Sequence, residues 1–262
     1  MIDIGVNLTH PSLLNNLEQN MIDWQQAGVS NIIAIASNIE ESEQLFELVK
    51  KIDGIHITLG CHPHHADSWN LDSANRITAL HKASTKAVAI GETGLDFNRN
   101  YSTQDNQIIA FNEQIQLAKE LKSPLYLHER DAEETLINIL KSHFSSEVHG
   151  VLHCFTANKN TLKRYLDLGL YIGITGWVCD ERRGQDLQEA IKYIPQDKIL
   201  IETDSPYLLP RTLRPRPKKN HPKFLPHIAT QIANQLNLSD DELIQASRQN
   251  TEKLFNLNLN LE

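Results

Sequence analysis

Short runs of consecutive apolar residues recur along the chain and are separated by longer stretches of amphipathic pattern. The runs occupy residues 2–8, 31–37, 55–60, 86–92, 125–127, 150–152, 170–175 and 199–201. Most of them do not alternate between apolar and polar, and unbroken apolar character is how a strand buried on both faces reads. The intervening stretches predict helices over 11–27, 38–51, 74–83, 102–121, 131–141, 158–168, 186–193, 222–236 and 239–254. Leu45, Leu48 and Val49 share one face of the second helix, and Ile108, Phe111, Ile115, Ala118 and Leu121 one face of the fourth. Asn38 is placed to cap a helix start, and Ser102 with Asp105 three residues on matches a capping box. Gly28 and Gly169 stop helices, and Pro124 follows the end of another.

Strands that alternate with helices make a parallel sheet, and eight such units make a closed barrel. The fold class expected is therefore α/β, a (β/α)8 TIM barrel, in one domain over residues 1–262. The longest irregular stretch, 205–222, carries Pro206, Pro210, Pro215, Pro217 and Pro222.

Four apolar runs end on residues that can do chemistry. Glu92 follows one glycine after Val88-Ala89-Ile90 and stands between Gly91 and Gly94, which let another group come close to the backbone. His128 and His153 follow their runs directly, and Asp204 comes after Ile201-Glu202-Thr203. Taken singly, a strand-end histidine is more often a hydrogen-bonded structural residue, and a strand-end aspartate a helix cap. In a barrel, however, all strand C-termini open onto the catalytic face. Two imidazoles and two carboxylates there form a mixed nitrogen and oxygen set suited to one or two divalent metals that activate water. His62 and His64, stiffened by Pro63, add phosphate contacts or further ligands, whereas His65 fits a solvated loop equally well. Asp96 bonds a ligand or caps its loop. His56, His81, His143 and His149 lie away from that rim and receive no role.

Composition changes the picture in three ways. A net charge of −8 withholds the broad basic face of many nucleic-acid binders. Bound cations and a local basic patch can reverse the potential at a site. Such a patch exists: Arg211, Arg214, Arg216, Lys218, Lys219 and Lys223 crowd the segment after strand eight, and Arg182 and Arg183 follow strand seven beside Trp177. Basic side chains with an interleaved aromatic fit a single-strand groove, and their position after barrel strands favours substrate contact over a merely solvated loop. No apolar run approaches the ~20 residues of a membrane helix, and the N-terminus lacks the basic and apolar segments of a signal peptide. Three dispersed cysteines, Cys61, Cys154 and Cys179, suit a reducing cytoplasm and do not form a zinc motif. Nothing demands more than a monomer.

Five motifs together resemble the TatD family of metal-dependent deoxyribonucleases: Gly-Cys-His-Pro-His at 60–64, Gly-Glu-Thr-Gly-Leu-Asp-Phe at 91–97, His128, His153-Cys-Phe, and Glu-Thr-Asp-Ser-Pro-Tyr-Leu at 202–208. The stretch 171–184 is similar to the TatD branch in particular. The resemblance implies an amidohydrolase-like barrel and hydrolysis of phosphodiesters by 3′–5′ exonuclease action on single-stranded DNA and RNA, in DNA repair or nucleic-acid turnover. It implies Glu92, His128, His153 and Asp204 as metal ligands. With a metal there, Glu92 and Asp204 are the expected catalytic groups, and the rim histidines and basic loops give His62, His64, Arg182, Arg183, Arg214, Arg216 and Lys218 as expected substrate contacts. Mg²⁺ is the favoured metal, ahead of Mn²⁺ or Zn²⁺. Most of the family carries Asp-x-His-x-His on strand one, where this chain reads Asp3-Ile4-Gly5-Val6-Asn7. Gly5 has no side chain and Asn7 is a weak neutral ligand. One tight metal is therefore expected, with a second weak or absent. Two rival readings are a small-molecule amidohydrolase and a non-catalytic binding barrel. No lysine ends strand four, where amidohydrolases often bridge two metals.

Overall fold

A computed structural model gives the structure of residues 1–257. They form two compact units interleaved along the chain. One holds Met1–Ala34, His153–Leu166 and the chain from Tyr171 on, and the other holds Ile35–Leu152 and Asp167–Leu170.

The first unit opens with β1 (Ile2–Val6), α1 (Pro11–Leu14), α2 (Leu17–Gln26) and β2 (Asn31–Ala34). β1 and β2 pair in parallel, Ile2 opposite Asn31 and Val6 opposite Ala34. The single helix expected over 11–27 is two helices, because the chain leaves helical geometry at Asn16 (φ −128°, ψ 42°). Asparagine is a poor helix former, since its side chain competes for backbone groups. Here Asn20 donates its amide to the Leu13 carbonyl at 2.7 Å and so satisfies the end of α1.

The second unit contains α3 (Ile39–Val49), β3 (Ile55–Leu59), α4 (Leu71–Ala83), β4 (Ala87–Asp96), α5 (Gln104–Leu121), β5 (Leu125–Arg130), α6 (Glu133–His143) and β6 (Gly150–Leu152). Strands β3 to β6 pair successively in parallel. Asn38 caps α3 as expected, its side chain accepting the Glu41 amide at 2.9 Å. α4 starts three residues before the expected 74, because Asn70 and Ser73 form a capping box. The cap of α5 is Thr103, not Ser102. The Ser102 hydroxyl instead donates to the His64 carbonyl at 3.0 Å and accepts the Asp67 amide at 3.1 Å.

β4 runs through Glu92 to Asp96, with all ten residues buried, past the expected end at 92. Gly91 (φ +149°) and Gly94 (φ +138°) allow this, since a Cβ on them would run into the carbonyl oxygens of Tyr126 and His128. The group that approaches the backbone at these glycines is the neighbouring strand β5.

The first unit then resumes with α7 (Lys159–Leu166), β7 (Tyr171–Ile174), α8 (Gln185–Ala190), β8 (Ile199–Ile201), α9 (Leu225–Leu236) and α10 (Asp240–Phe255). β7 pairs in parallel with β8. The chain after β8 meets β1: Asp204 donates its amide to the Gly5 carbonyl at 2.9 Å, and Asn7 to that of Ser205 at 2.8 Å. The strands follow one another in chain order, β1 to β8, the order of the expected (β/α)8 class. Among the described residues no helix is long and apolar enough to cross a membrane.

Candidate metal centre

In the second unit the chain leaves β3 into His62-Pro63-His64, where a 3-10 helix begins at Pro63. His62 is its cap. The Nδ1 atom of His62 accepts the His64 amide at 3.1 Å. A neutral imidazole that accepts at Nδ1 carries its proton on Nε2. That Nε2 lies 3.4 Å from Oε1 of Glu92. Burial pushes the His62 pKa down to about 4 against the pull of the Glu92 charge, so the ring is a neutral donor. To ligate a metal through Nε2 it would have to abandon its bond to Glu92.

Glu92 sits on β4, only 7% exposed, and its Oε1 is 3.0 Å from Nδ1 of His128 on β5. The donor atoms of His62, Glu92 and His128 all lie within 4.8 Å of one another. Side by side in register on β4 and β5, Gly94 pairs with His128 and Asp96 with Arg130.

Of the two roles left open by the sequence, the structure shows Asp96 as the loop cap and adds contacts to two histidines. Its Oδ1 accepts the amides of Asn98 at 3.0 Å and Arg99 at 2.8 Å, which caps the loop. Its Oδ2 lies 2.6 Å from Nε2 of His64 and 3.8 Å from Nε2 of His128. Burial alone would raise this carboxyl, but His128, the Arg99 amide and His64 outweigh it and hold Asp96 well below the usual carboxylate range. The ring of Tyr101, 64% exposed, stands 4.7 Å from that of His64.

In the first unit His153 is buried, with Nδ1 3.4 Å from Oε2 of the fully buried Glu202. Glu202 Oε1 also accepts the Cys154 amide at 2.6 Å. A carboxylate on one imidazole nitrogen fixes the tautomer and leaves the other nitrogen to ligate. Gly173 makes room for this pair: a Cβ there would come within 2.6 Å of Glu202 Oε1.

Asp204 takes a left-handed backbone (φ +54°). Its Oδ1 accepts the side-chain amide of Asn7 at 2.9 Å. The preceding Thr203 is held by buried Asp3, which accepts its amide at 2.9 Å and its hydroxyl at 2.6 Å. Burial raises the Asp3 carboxyl to about 8, against the hydrogen bonds from Thr203 and Gly5. Asn7, expected as a weak metal ligand, is here a donor to a carboxylate.

Around the basic loops the structure gathers Arg182, Arg183 and Arg211 about Asp180. Asp180 lies 3.8, 3.3 and 3.6 Å from these three guanidinium groups, and Arg211 also lies 3.0 Å from Glu181. The Arg183 guanidinium stacks over the Trp177 ring at 4.5 Å. Arg214 donates to the carbonyls of Arg211 and Leu213 at 2.7 Å each. Arg216 and Lys218 are exposed. Sequence reasoning missed Glu202 as the partner of His153, Asn7 as the partner of Asp204, and Tyr101. Only Glu202 carried a signal, as a charged residue directly after the apolar run 199–201.

Residues 2–256 match the family described as TatD related DNase. A protein of Erwinia tasmaniensis named 3′-5′ ssDNA/RNA exonuclease TatD is 46% identical over 262 residues, covering 98% of this chain and 100% of its own. A protein of the same name from Klebsiella pneumoniae is 42% identical, covering 99% of each. Among solved structures, the TatD homologue YJJV of Escherichia coli K12 superposes with a TM-score of 0.89 at 27% identity over 98% of both chains. The phosphotriesterase homology protein of Escherichia coli, 13% identical with a TM-score of 0.68 over 97% of both chains, shares the fold alone.

Proposed function

The chain belongs to the TatD related DNase family, and from that premise we propose how it acts: as a 3′–5′ exonuclease on single-stranded DNA and RNA. It is a hydrolase of nucleic-acid ester bonds, and the relatives that carry the exonuclease name span its whole length. The observation that carries the site assignment is the Glu92 carboxylate on β4, bracketed by His62 and His128. We read one catalytic domain, because the family match runs unbroken from 2 to 256.

The donor set fits a divalent cation. Glu92 supplies an anionic oxygen next to the His128 nitrogen. His153 has its Nδ1 engaged by Glu202, the support that metal-binding histidines commonly receive. We propose Glu92, His128, His153 and Asp204 as the ligands, with Mg²⁺ as the physiological ion and one tight site. A cation held there would supply a Lewis acid for a bound water and a phosphoryl oxygen. The chain's own groups do the rest. Asp204, aimed by Asn7, serves as the fourth of these ligands or as the base for the attacking water. His62, neutral with its one proton on Nε2, turns that proton from Glu92 to a phosphoryl oxygen once the carboxylate is engaged by a cation. His64, oriented by Asp96, also donates to a phosphoryl oxygen from the neighbouring position. Arg182, Arg183, Arg214, Arg216 and Lys218 attract the phosphates of the incoming strand, and Trp177 offers a stacking face. The setting is the cytoplasm and the working form a monomer.

The test is incubation with 5′-labelled single-stranded DNA and RNA in Mg²⁺, in Mn²⁺ and in EDTA. The expected result is a ladder that shortens from the 3′ end and is abolished by EDTA. Absence of cleavage together with turnover of a small cyclic amide or lactone would establish the rival amidohydrolase reading instead.

A further inference from the structure

Three motif positions at β1, two of which are metal-binding histidines in most of the family, all face the segment after β8. Asp3 accepts the Thr203 amide and hydroxyl, the Gly5 carbonyl accepts the Asp204 amide, and Asn7 bonds the Asp204 carboxylate. We propose that β1 of this chain has exchanged metal binding for positioning, and that Asn7 is the residue that aims the Asp204 carboxylate. The proposal rests on the reading of Asp204 as a working group of the site.

The orientation of the Asn7 amide is settled by its surroundings. Its nitrogen faces Asp204 Oδ1 at 2.9 Å, the Ser205 carbonyl at 3.3 Å and the Asp204 carbonyl at 3.5 Å. All three are acceptors, so the nitrogen and not the oxygen must face them. An Asn7 so turned presents donors to this segment, which is the opposite of what a metal ligand offers.

The backbone explains why such a clamp is useful. Asp204 is a non-glycine residue in the left-handed region (φ +54°), a conformation that persists where neighbours enforce it. The Gly5 carbonyl holds its amide, and its own carbonyl accepts the Tyr207 amide at 3.0 Å. Asn7 is itself fixed, its backbone amide bonded to the Ser205 carbonyl at 2.8 Å. With the main chain pinned on both sides, the Asn7 donor restricts rotation of the Asp204 side chain. A neutral donor does so without adding a positive charge that would compete with the cation for the carboxylate.

The experiment is a double-mutant cycle on the full chain with Asn7→Ala, Asn7→Asp, Asp204→Ala and the Asn7→Ala/Asp204→Ala pair. The readouts are kcat and KM on single-stranded DNA, Mn²⁺ affinity by calorimetry, and Tm as the check on folding. Positioning predicts that Asn7→Ala and the near-isosteric Asn7→Asp each lower kcat by about 10- to 100-fold, with KM changed less than about 3-fold. It predicts that Asn7→Ala adds no further loss once Asp204 is gone, since coupled residues are not additive. A ligand role predicts instead that Asn7→Asp, a stronger anionic donor, tightens Mn²⁺ and keeps turnover, and that outcome overturns the proposal. Equal losses from Asn7→Ala in both backgrounds, or none in either alongside a damaging Asp204→Ala, also overturn it. An Asp204→Ala enzyme that works normally overturns the functional reading itself, and this inference with it.

Discussion

The carboxylate of Glu202, fully buried, stands 3.4 Å from Nδ1 of His153 and takes the Cys154 amide proton at 2.6 Å. Glu202→Gln keeps the shape and removes the charge that fixes the imidazole tautomer. Loss of such a partner weakens metal affinity by about 10- to 100-fold. The variant is therefore expected to cleave poorly at low Mn²⁺ and to recover at high Mn²⁺. A metal titration of the initial rate checks it, and a rate loss that saturating metal does not repair would count against this role.

Glu92 lies between two imidazoles at 3.0 and 3.4 Å. Glu92→Ala is expected to abolish metal-dependent cleavage and to leave calorimetric metal binding undetectable. His62→Phe, by contrast, should keep the metal and lose turnover, because His62 is assigned as a donor and not a ligand. Wild-type rates from purified Glu92→Ala would sink the whole scheme.

Asp96 places one oxygen 2.6 Å from His64 and 3.8 Å from His128. In Asp96→Asn the two histidines lose their common anionic partner, while the Asn98 and Arg99 amides keep an acceptor. The expected outcome is a kcat lower by about 10- to 100-fold with Tm nearly unchanged. A fall in Tm that accounts for the missing activity would instead mark Asp96 as a loop cap only.

The same residues show what could be seen in the chain before its structure. Apolar runs gave away the eight strands, most of them unbroken because a strand covered on both faces has no polar register, whereas the first, with Asp3 in it, alternates weakly. The end of β4 was hidden, since Gly-Glu-Thr-Gly-Leu-Asp lacks strand character and is held in place by pairing of Thr93 with Leu127 and Gly94 with His128. The helix break at Asn16 turned on local asparagine chemistry, and the choice of Thr103 over Ser102 on a tertiary bond from Ser102 to His64. Candidate ligands were legible as charges that end apolar runs. Their supports were not: Glu202 and Asn7 are defined by partners 49 and 197 residues away.

Arg183 and Arg211 share the negative charge of Asp180, and Arg214 is turned onto its own loop. Arg216 and Lys218 are exposed on the same segment. The pair Arg216→Ala/Lys218→Ala is expected to raise KM for single-stranded DNA several-fold. It should also reduce the slope of log K against log salt by about 0.7 for each phosphate that is no longer neutralised. Binding of labelled oligonucleotides across a sodium chloride series measures this, and a slope equal to that of the wild type would argue for a solvated loop.

Burial pushes the pKa of His56 from its ordinary 6.5 down to about 4, with Lys86 acting in the same direction, and burial and Lys223 do the same for His221. Below pH 6.5 the unfolded chain takes up protons that the folded chain refuses until about pH 4. Stability from each histidine is thus present above about 6.5 and lost as pH falls toward 4, at up to about 1.4 kcal/mol per pH unit. Urea midpoints measured between pH 7 and 5 should fall, and His56→Gln should flatten the slope. An unchanged slope in that variant would remove His56 from the account.

The interleaving of the two units carries a consequence for synthesis. Residues 35–152 lie wholly in one unit, whereas β1 and β2 belong with a partner segment that begins at His153. On the ribosome the middle of the chain can complete its unit once residues 167–170 have emerged, while the first two strands wait for the rest of theirs. At about 5–20 residues per second, the interval between translation of Asp3 and of Thr203 is roughly 10–40 s. Until then the buried carboxylate of the first strand has no Thr203 to satisfy it. A nascent chain halted before β8 therefore carries β1 without the segment that Asp3, Gly5 and Asn7 bond.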